Sequence, residues 1–216
     1  MRLDKSKDDA PMKRLIIAAG LSLSSVAIFC SPAAAQEDAY ENGYALYETG
    51  DYVEAAKWYR LAAEQGDRAA PFILGKMYAR GEGVPENHEE AVKWWRLSAE
   101  QSGDATEQLG LALIYDDGAG IPEDNVEAVK WYRLAADQGD ADAQLGLAGM
   151  YSRGEGVPED YVQAFTWLNL SAAKGNTYAA KNKEKLRKMM TSEQIADAQR
   201  LSAEWKPGSE RTSTCP

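Results

Sequence analysis

The chain has 216 residues, of which 44% are hydrophobic and 27% are charged, proportions typical of a folded globular protein. Residues 36–173 carry 26 acidic and 10 basic side chains, a net charge of −16. Such an acidic body argues against binding of nucleic acid, whose phosphates require clustered Lys and Arg. Residues 174–206 reverse the balance with 8 basic and 4 acidic side chains. This asymmetry leaves room for a basic partner on the acidic body or for an anionic contact at the basic end.

Residues 1–35 have the pattern of a secretory signal peptide. A basic start at Met12–Arg14 precedes an apolar run over Leu15–Phe29, and small residues follow as far as Ala35. The run is about 15 residues long, short of the roughly 20 that span a bilayer, so cleavage near Ala35 is favoured over stable membrane insertion. Met12 is an alternative start of translation. We therefore expect the mature chain in the bacterial periplasm or outside the cell.

The residue types available for chemistry are few. His88 is the single histidine, and Cys30 falls in the predicted signal, so Cys215 is the one thiol of the mature chain. No group of residues has the spacing of a metal site or of a catalytic arrangement. We therefore expect no catalytic residue, no cofactor and no metal, and a monomer. Whether Cys215 pairs between chains stays open.

A motif of about 36 residues recurs four times after the signal. Its lead tryptophans are separated by 36, 37 and 36 residues, and they are Trp58, Trp94, Trp131 and Trp167. Seven residues before each tryptophan stands an Asp or Asn, and a Glu or Gln follows three residues later. This is a capping-box pattern, in which a polar side chain accepts from a free backbone N–H at a helix start. It predicts helices that begin after Asp51, Asn87, Asp124 and Asp160.

Each unit also predicts a first helix that ends near a tyrosine. These tyrosines are Tyr47, Tyr78, Tyr115 and Tyr151. In the last three units the motif Gly-x-Gly-(Val/Ile)-Pro follows the tyrosine. It predicts a connector between two helices, because Gly suits the left-handed turn after a helix and Pro prevents the helix from continuing.

The spacing around each tryptophan predicts the buried face of the second helix. In the first unit, helical periodicity places Ala55, Trp58, Leu61 and Ala62 on one side. The opposite side carries Arg60 and Glu64, with the spacing of a surface ion pair.

These motifs resemble the Sel1-like repeat family, a relative of the tetratricopeptide repeat. The resemblance implies an all-α fold, an α/α solenoid of about four helix pairs with a C-terminal capping helical segment. It implies a tetratricopeptide-like first repeat over 38–66, Sel1-like repeats over 67–103, 104–139 and 140–175, capping helices over 176–206, and a flexible tail over 207–216.

The resemblance implies a non-catalytic scaffold that binds an unidentified protein partner in the bacterial envelope. One alternative is a glycan or peptidoglycan binder that stacks exposed aromatic rings on sugars. A second is a β-lactamase-like hydrolase, but that branch of the family has cysteines in each repeat and this chain has none there.

Positions that vary between units within the constant frame are the candidates for partner contact. They lie near the end of each first helix. The predicted contact residues are Lys76, Arg80, Asp117 and Arg153, and Leu113 and Gly149 occupy the position of Lys76 in the later units.

Overall fold

The computed structural model describes residues 32–208, with side chains from residue 39, and this part of the chain forms ten α-helices and no strand. No helix in that range is long and apolar enough to cross a bilayer. Most of the predicted signal, Cys30 and Cys215 lie outside the described residues. The predicted cleavage point at Ala35 falls at the start of the first helix and stays a prediction.

The helices pair along the chain. They are α1 (Pro32–Glu48), α2 (Tyr52–Glu64), α3 (Ala70–Arg80), α4 (His88–Ser102), α5 (Ala105–Asp117), α6 (Asn125–Asp137), α7 (Ala141–Arg153), α8 (Tyr161–Ala173), α9 (Thr177–Arg187) and α10 (Ser192–Glu204). Four pairs, α1 with α2 through α7 with α8, pack one after another, and both α9 and α10 pack against α8. The predicted solenoid of about four helix pairs with a helical cap is confirmed.

The second helix of each pair begins where the cap pattern predicts. The side chain of each cap residue accepts a hydrogen bond from the backbone N–H three residues later, which stabilises the helix by about 1 kcal/mol. The return bond of the capping box is replaced in three repeats, because Glu54, Glu90 and Glu127 bind the lysine three residues further on. A complete capping box forms between Thr191 and Gln194 at the start of α10.

The buried face of the second helices differs from the expectation. Leu61 and Leu134 were predicted to pack inward, yet they are 39% and 43% exposed. The aromatic residue that follows the tryptophan is buried instead, as Tyr59 and Tyr132. The flanking alanines belong to two overlapping stripes of the helix, and the larger ring determines which stripe faces the core.

The predicted ion pairs along the second helices are also replaced. No salt bridge among the described residues joins Arg60 to Glu64 or Arg96 to Glu100. The motif arginine of each of the first three repeats instead donates to the phenol oxygen of the motif tyrosine, which lies on the first helix of the next repeat. The pairs are Arg60 with Tyr78, Arg96 with Tyr115 at 2.7 Å and Arg133 with Tyr151 at 2.8 Å. The arginine and tyrosine of the motif therefore tie successive repeats together.

The second position of each connector requires glycine for two reasons. The preceding repeat lies too close to allow a Cβ atom, and the backbone has a positive φ. Gly83 and Gly156 have φ of 71° and 68°, in the left-handed region. A Cβ atom at either position would lie 2.1 Å from a carbonyl oxygen, that of Tyr52 or Asn125. Those residues begin α2 and α6, so each connector rests on the second helix of the preceding repeat.

The core consists of two clusters of buried side chains. One cluster belongs to the first two helix pairs, and the other runs from α4 to α10. Both involve α4, because Trp94 packs against the first cluster whereas Val92 and Ala99 belong to the second. Ser98 of α4 stands where α2 and α6 have alanine, and it donates to Glu107 at 2.8 Å. Gly208, at the end of the described chain, donates to the carbonyl of Asp137.

Candidate partner-binding site

The predicted contact residues lie at the C-terminal ends of three different first helices and do not form one cluster. On α3, the Lys76 ammonium stands 5.8 Å from the centroid of the Phe72 ring, which is 41% exposed. Arg80, at the end of the same helix, lies 3.6 Å from Glu82. One face of α3 therefore presents an aromatic ring and two cations.

The other two predicted residues have different surroundings. Asp117 ends α5 with an exposed carboxylate. Arg153 ends α7 and places its Nε 2.5 Å from Glu155. Of the four predicted residues, Arg153 lines a pocket between α7, α8 and α9.

This pocket, which we call the α7–α9 pocket, has a volume of about 310 Å³ and opens to the solvent. Helices α7, α8 and α9 supply its walls. Its deeper lining is aliphatic and comes from Leu145, Leu168 and Leu186. Its exposed lining is polar or flexible and comes from Arg153, Asn182, Lys185 and Met189. An apolar depth with a few polar groups at the edge is the usual construction of a binding pocket.

Gly149 creates the space at the α7 side of this pocket. The equivalent position carries Lys76 in the second repeat and Leu113 in the third. A Cβ atom at Gly149 would lie 2.9 Å from Nη1 of Arg153. The missing side chain therefore lets the guanidinium lie back along α7 and leaves the pocket open.

The lining of the α7–α9 pocket is cationic and contains no carboxylate. Glu155 offsets part of the charge of Arg153 from outside the pocket. Lys185 forms no salt bridge within residues 32–208, whereas its neighbour Arg187 pairs with Glu184. Residues 177–188 carry five basic side chains and one acidic one. The lining of the pocket is thus positively charged, although the chain as a whole has a net charge of −10.

A second pocket, between α4, α5 and the connector after α5, has a volume of about 460 Å³. Its two cations are already paired, because Lys93 lies 2.5 Å from Glu90 and Arg96 lies 3.0 Å from Glu127. The hydrogen bond that Lys93 donates to Glu90 raises the pKa of Lys93. Three carboxylates also line this pocket, so it offers no unpaired positive charge.

The ionisable groups of the interior serve packing. Burial raises the pKa of Tyr59 and of Tyr132, and Tyr132 also donates a hydrogen bond to Asp116 at 2.9 Å. Each phenol is therefore neutral at physiological pH. His88 lies 3.2 Å from Glu86 and packs under the connector of the next repeat. Within the described chain, no three His, Cys, Asp or Glu side chains come together as a metal site would need.

The regular helix pairs, their caps and their connectors correspond to a known repeat. The sequence model of the Sel1 repeat family matches residues 32–67, 70–103, 104–140 and 141–176. The chain belongs to the Sel1 repeat family. The first matched unit is the one whose short turn resembles a tetratricopeptide repeat. Proteins built of Sel1 repeats are in general interaction scaffolds, and the repeats themselves are typically non-catalytic.

Two curated relatives are named as exopolysaccharide production negative regulators. The one from Rhizobium meliloti (strain 1021) is 43% identical over 54 residues, which is 25% of this chain and 20% of the relative. The one from Rhizobium leguminosarum bv. viciae is 39% identical over 56 residues, which is 26% of this chain and 21% of the relative. The chain thus spans about a fifth of the length of the curated relatives that it matches.

A solved structure of a Sel1 repeat protein from Oxalobacter formigenes is similar over a longer stretch. It shares 35% sequence identity and has a TM-score of 0.52, and the match covers 67% of this chain and 59% of that one. The similarity supports the same stacking of helix pairs.

The sequence singled out only part of this pocket. Arg153 and Gly149 were recognised because they vary between repeats. The residues of α9, above all Lys185 and Asn182, were interpreted as part of a cap. The available signal was the change from acidic to basic composition after residue 173, but periodicity alone does not show that α9 lies beside α7.

Proposed function

We propose that this chain is a non-catalytic scaffold that binds a partner protein in the bacterial envelope. The observation that carries the proposal is the combination of a constant frame with variable first-helix ends. Caps, connectors and arginine–tyrosine bonds repeat from unit to unit, whereas Lys76, Arg80, Asp117 and Arg153 differ in charge and surroundings. Variation on a constant frame is how repeat proteins present a specific binding surface.

The comparisons support a regulatory interaction. Two relatives are named as negative regulators of exopolysaccharide production, and they match this chain over 54 and 56 residues. Regulation by a repeat protein requires contact with another macromolecule, which agrees with a scaffold. The alternative of a glycan or peptidoglycan binder has less support, because Trp131 and Trp167 of the repeating stripe are buried and Trp58 and Trp94 are half-buried.

The test is site-specific photocrosslinking in the intact cell envelope. A photoreactive residue at position 80, 117 or 153 should give discrete crosslinks to protein. The matched control is position 134 on α6, which is exposed but lies on a second helix. Equal products from all four positions, or retention of glycan without any protein crosslink, would contradict the proposal.

Charge reversal tests the same surface without a probe. Arg80→Glu combined with Arg153→Glu should weaken crosslinking at position 117 and leave the helical circular dichroism unchanged, because both side chains are exposed. Undiminished crosslinking in the double variant would remove these residues from the binding surface.

The envelope location is tested separately. We expect the chain purified from a periplasmic fraction to begin at Gln36, since the predicted cleavage follows Ala35. Recovery of the uncleaved chain from the cytoplasm alone would exclude an envelope role.

A further inference from the structure

The α7–α9 pocket has features that determine what it can bind. It combines an aliphatic depth with two cations at its exposed edge, Arg153 and Lys185. Its volume of about 310 Å³ is at the lower end of the roughly 300–1,000 Å³ of sites that enclose a small ligand. An occupant of this pocket would therefore place one apolar group inside and continue outside it along the protein surface.

We propose that the α7–α9 pocket binds an extended acidic segment of a partner protein, with one aliphatic side chain of that segment inserted into the pocket. This inference rests on the scaffold function proposed above and names the class of segment that the scaffold recognises. Carboxylates beside the inserted side chain would accept charge-assisted hydrogen bonds from Lys185 and Arg153.

Charge complementarity favours an acidic occupant. Residues 36–173 have a net charge of −16 and would repel an acidic chain at most of their surface. Residues 174–206 have a net charge of +4, and five of their eight cations lie between 177 and 188, on α9 and at its end. Attraction of an acidic segment is thus strongest at the end of the solenoid that holds the pocket.

The lining favours a peptide over an anionic polysaccharide. Leu145, Leu168 and Leu186 form an aliphatic depth that suits a Leu, Ile or Val side chain. Tyr161 is the one aromatic residue in the lining of the α7–α9 pocket. A sugar ring binds best on exposed aromatic faces and would leave the leucines unfilled.

Gly149 makes the pocket specific to the fourth repeat. The same position is Leu113 in the third repeat, and that side chain is 44% exposed. Leu at position 149 would therefore project toward the pocket and occupy the space of the inserted side chain. The substitution is sterically cheap for the fold, since the nearest atom belongs to the flexible end of Arg153 and helical Gly is unfavourable.

The test measures fluorescence anisotropy of the full mature chain with labelled peptides. The probe is an eight-residue peptide of aspartate and glutamate with one central leucine. One control peptide replaces the leucine by serine, and another replaces the acidic residues by lysine. We expect binding of the probe, at least tenfold weaker binding of the serine peptide and no binding of the lysine peptide.

Three variants separate the pocket from general electrostatics. Gly149→Leu should weaken probe binding about tenfold or more by filling the pocket and displacing the guanidinium group of Arg153, with thermal stability unchanged or raised. Lys185→Glu should also weaken it about tenfold, because a cation at the edge becomes an anion. Lys181→Glu makes the same charge change on α9 outside the pocket and should alter binding less than about threefold.

Four results would overturn the inference. They are no binding of the probe, equal binding of the leucine and serine peptides, unchanged binding by Gly149→Leu, and equal losses in Lys181→Glu and Lys185→Glu. Displacement of the probe by trigalacturonic acid at similar concentration would assign the pocket to an anionic glycan instead. If the probe fails while positions 80 and 117 still crosslink to protein, the scaffold function stands and this inference alone is wrong.

Discussion

Helices α2 and α6 have almost the same sequence and differ in how deeply they are buried. They are identical at all but three of 13 positions, and both contain Lys-Trp-Tyr-Arg-Leu-Ala-Ala. Trp131 in α6 is 1% exposed, whereas Trp58 in α2 is only half-buried. The difference therefore arises from the neighbours of each helix and not from its own residues.

The neighbours explain this difference. The core cluster around Trp131 includes Val92 from α4 and Phe165 from α8, so repeats on both sides contribute to it. The cluster around Trp58 receives Trp94 from the following repeat, and no repeat precedes α2 within residues 32–208. The same motif is thus buried in α6, where repeats on both sides contribute, and half-exposed in α2, where a repeat contributes from one side.

The largest expected effect comes from truncation of the two tryptophans. Trp131→Ala should lower the free energy of unfolding by about 3–5 kcal/mol, because it removes a fully buried indole and leaves a cavity. Trp58→Ala should cost about half as much, since part of its surface is already hydrated. Unfolding in guanidinium chloride, followed by circular dichroism, measures the free energy of unfolding of both variants, with Leu134→Ala as an exposed control. Equal losses at the two tryptophans would show that α2 is as well covered as α6.

The buried tyrosines of α2 and α6 should respond differently to added volume. Tyr59 rests on Gly43 of α1, where a Cβ would stand 3.1 Å from the ring. Tyr132 rests on Gly146 of α7, where the distance would be 2.4 Å. Gly146→Ala should therefore cost about 1–3 kcal/mol, and Gly43→Ala should cost less than about 1 kcal/mol.

A third glycine serves as the control for this pair. A Cβ atom at Gly110 of α5 would meet no neighbouring atom within 4 Å among residues 32–208, so Gly110→Ala should stabilise the chain by up to about 1 kcal/mol. Thermal unfolding ranks the three variants. A loss for Gly110→Ala as large as that for Gly146→Ala would mean that the close approach to Tyr132 is not the cause.

The sequence predicted the local features of the fold better than it predicted which helix faces pack against each other. Caps, connectors and the number of helix pairs depend on residues close together in the chain, and they were predicted correctly. The prediction that Leu61 packs inward was wrong, because Tyr59 lies beside the same alanines on the helix and is buried instead. The contribution of Lys185 to the pocket was missed, since it depends on the packing of α9 against α8.

The protonated phenol of Tyr132 should make the stability of the fold depend on pH in the alkaline range. Burial and the hydrogen bond to Asp116 raise the pKa of Tyr132 above its ordinary value of 10. Its stabilising contribution is complete below about pH 10 and decreases as the pH rises, because the unfolded tyrosine ionises first. The loss is at most about 1.4 kcal/mol for each pH unit above 10.

Tyr132→Phe isolates this contribution. The variant should lose some stability at pH 8, where the hydrogen bond to Asp116 is removed, but should decline less steeply between pH 10 and pH 11 than the parent chain. Burial raises the pKa of Tyr59 as well, so Tyr59→Phe should flatten the decline in the same direction. Identical pH slopes in all three proteins would show that neither phenol is protonated differently on folding.

The smallest expected effect concerns the bonds that tie each repeat to the next. Arg60 of α2 donates to Tyr78, and Arg133 of α6 donates to Tyr151, and all four side chains are at least partly exposed. Arg60→Met and Arg133→Met keep the apolar part of the side chain and remove the donor. Each should cost only about 0.5 kcal/mol, because exposed bonds to a charged group exchange with water.

The equality of those two losses matters more than their size. Double-mutant cycles with Tyr78→Phe and Tyr151→Phe should give coupling energies that agree within about 0.5 kcal/mol. Burial depends on neighbouring repeats and so separates α2 from α6, whereas an exposed bond between adjacent helices has the same surroundings in both. A coupling energy at Arg133 that exceeds the one at Arg60 by more than about 1 kcal/mol would mean that the middle of the solenoid strengthens surface contacts as well as the core.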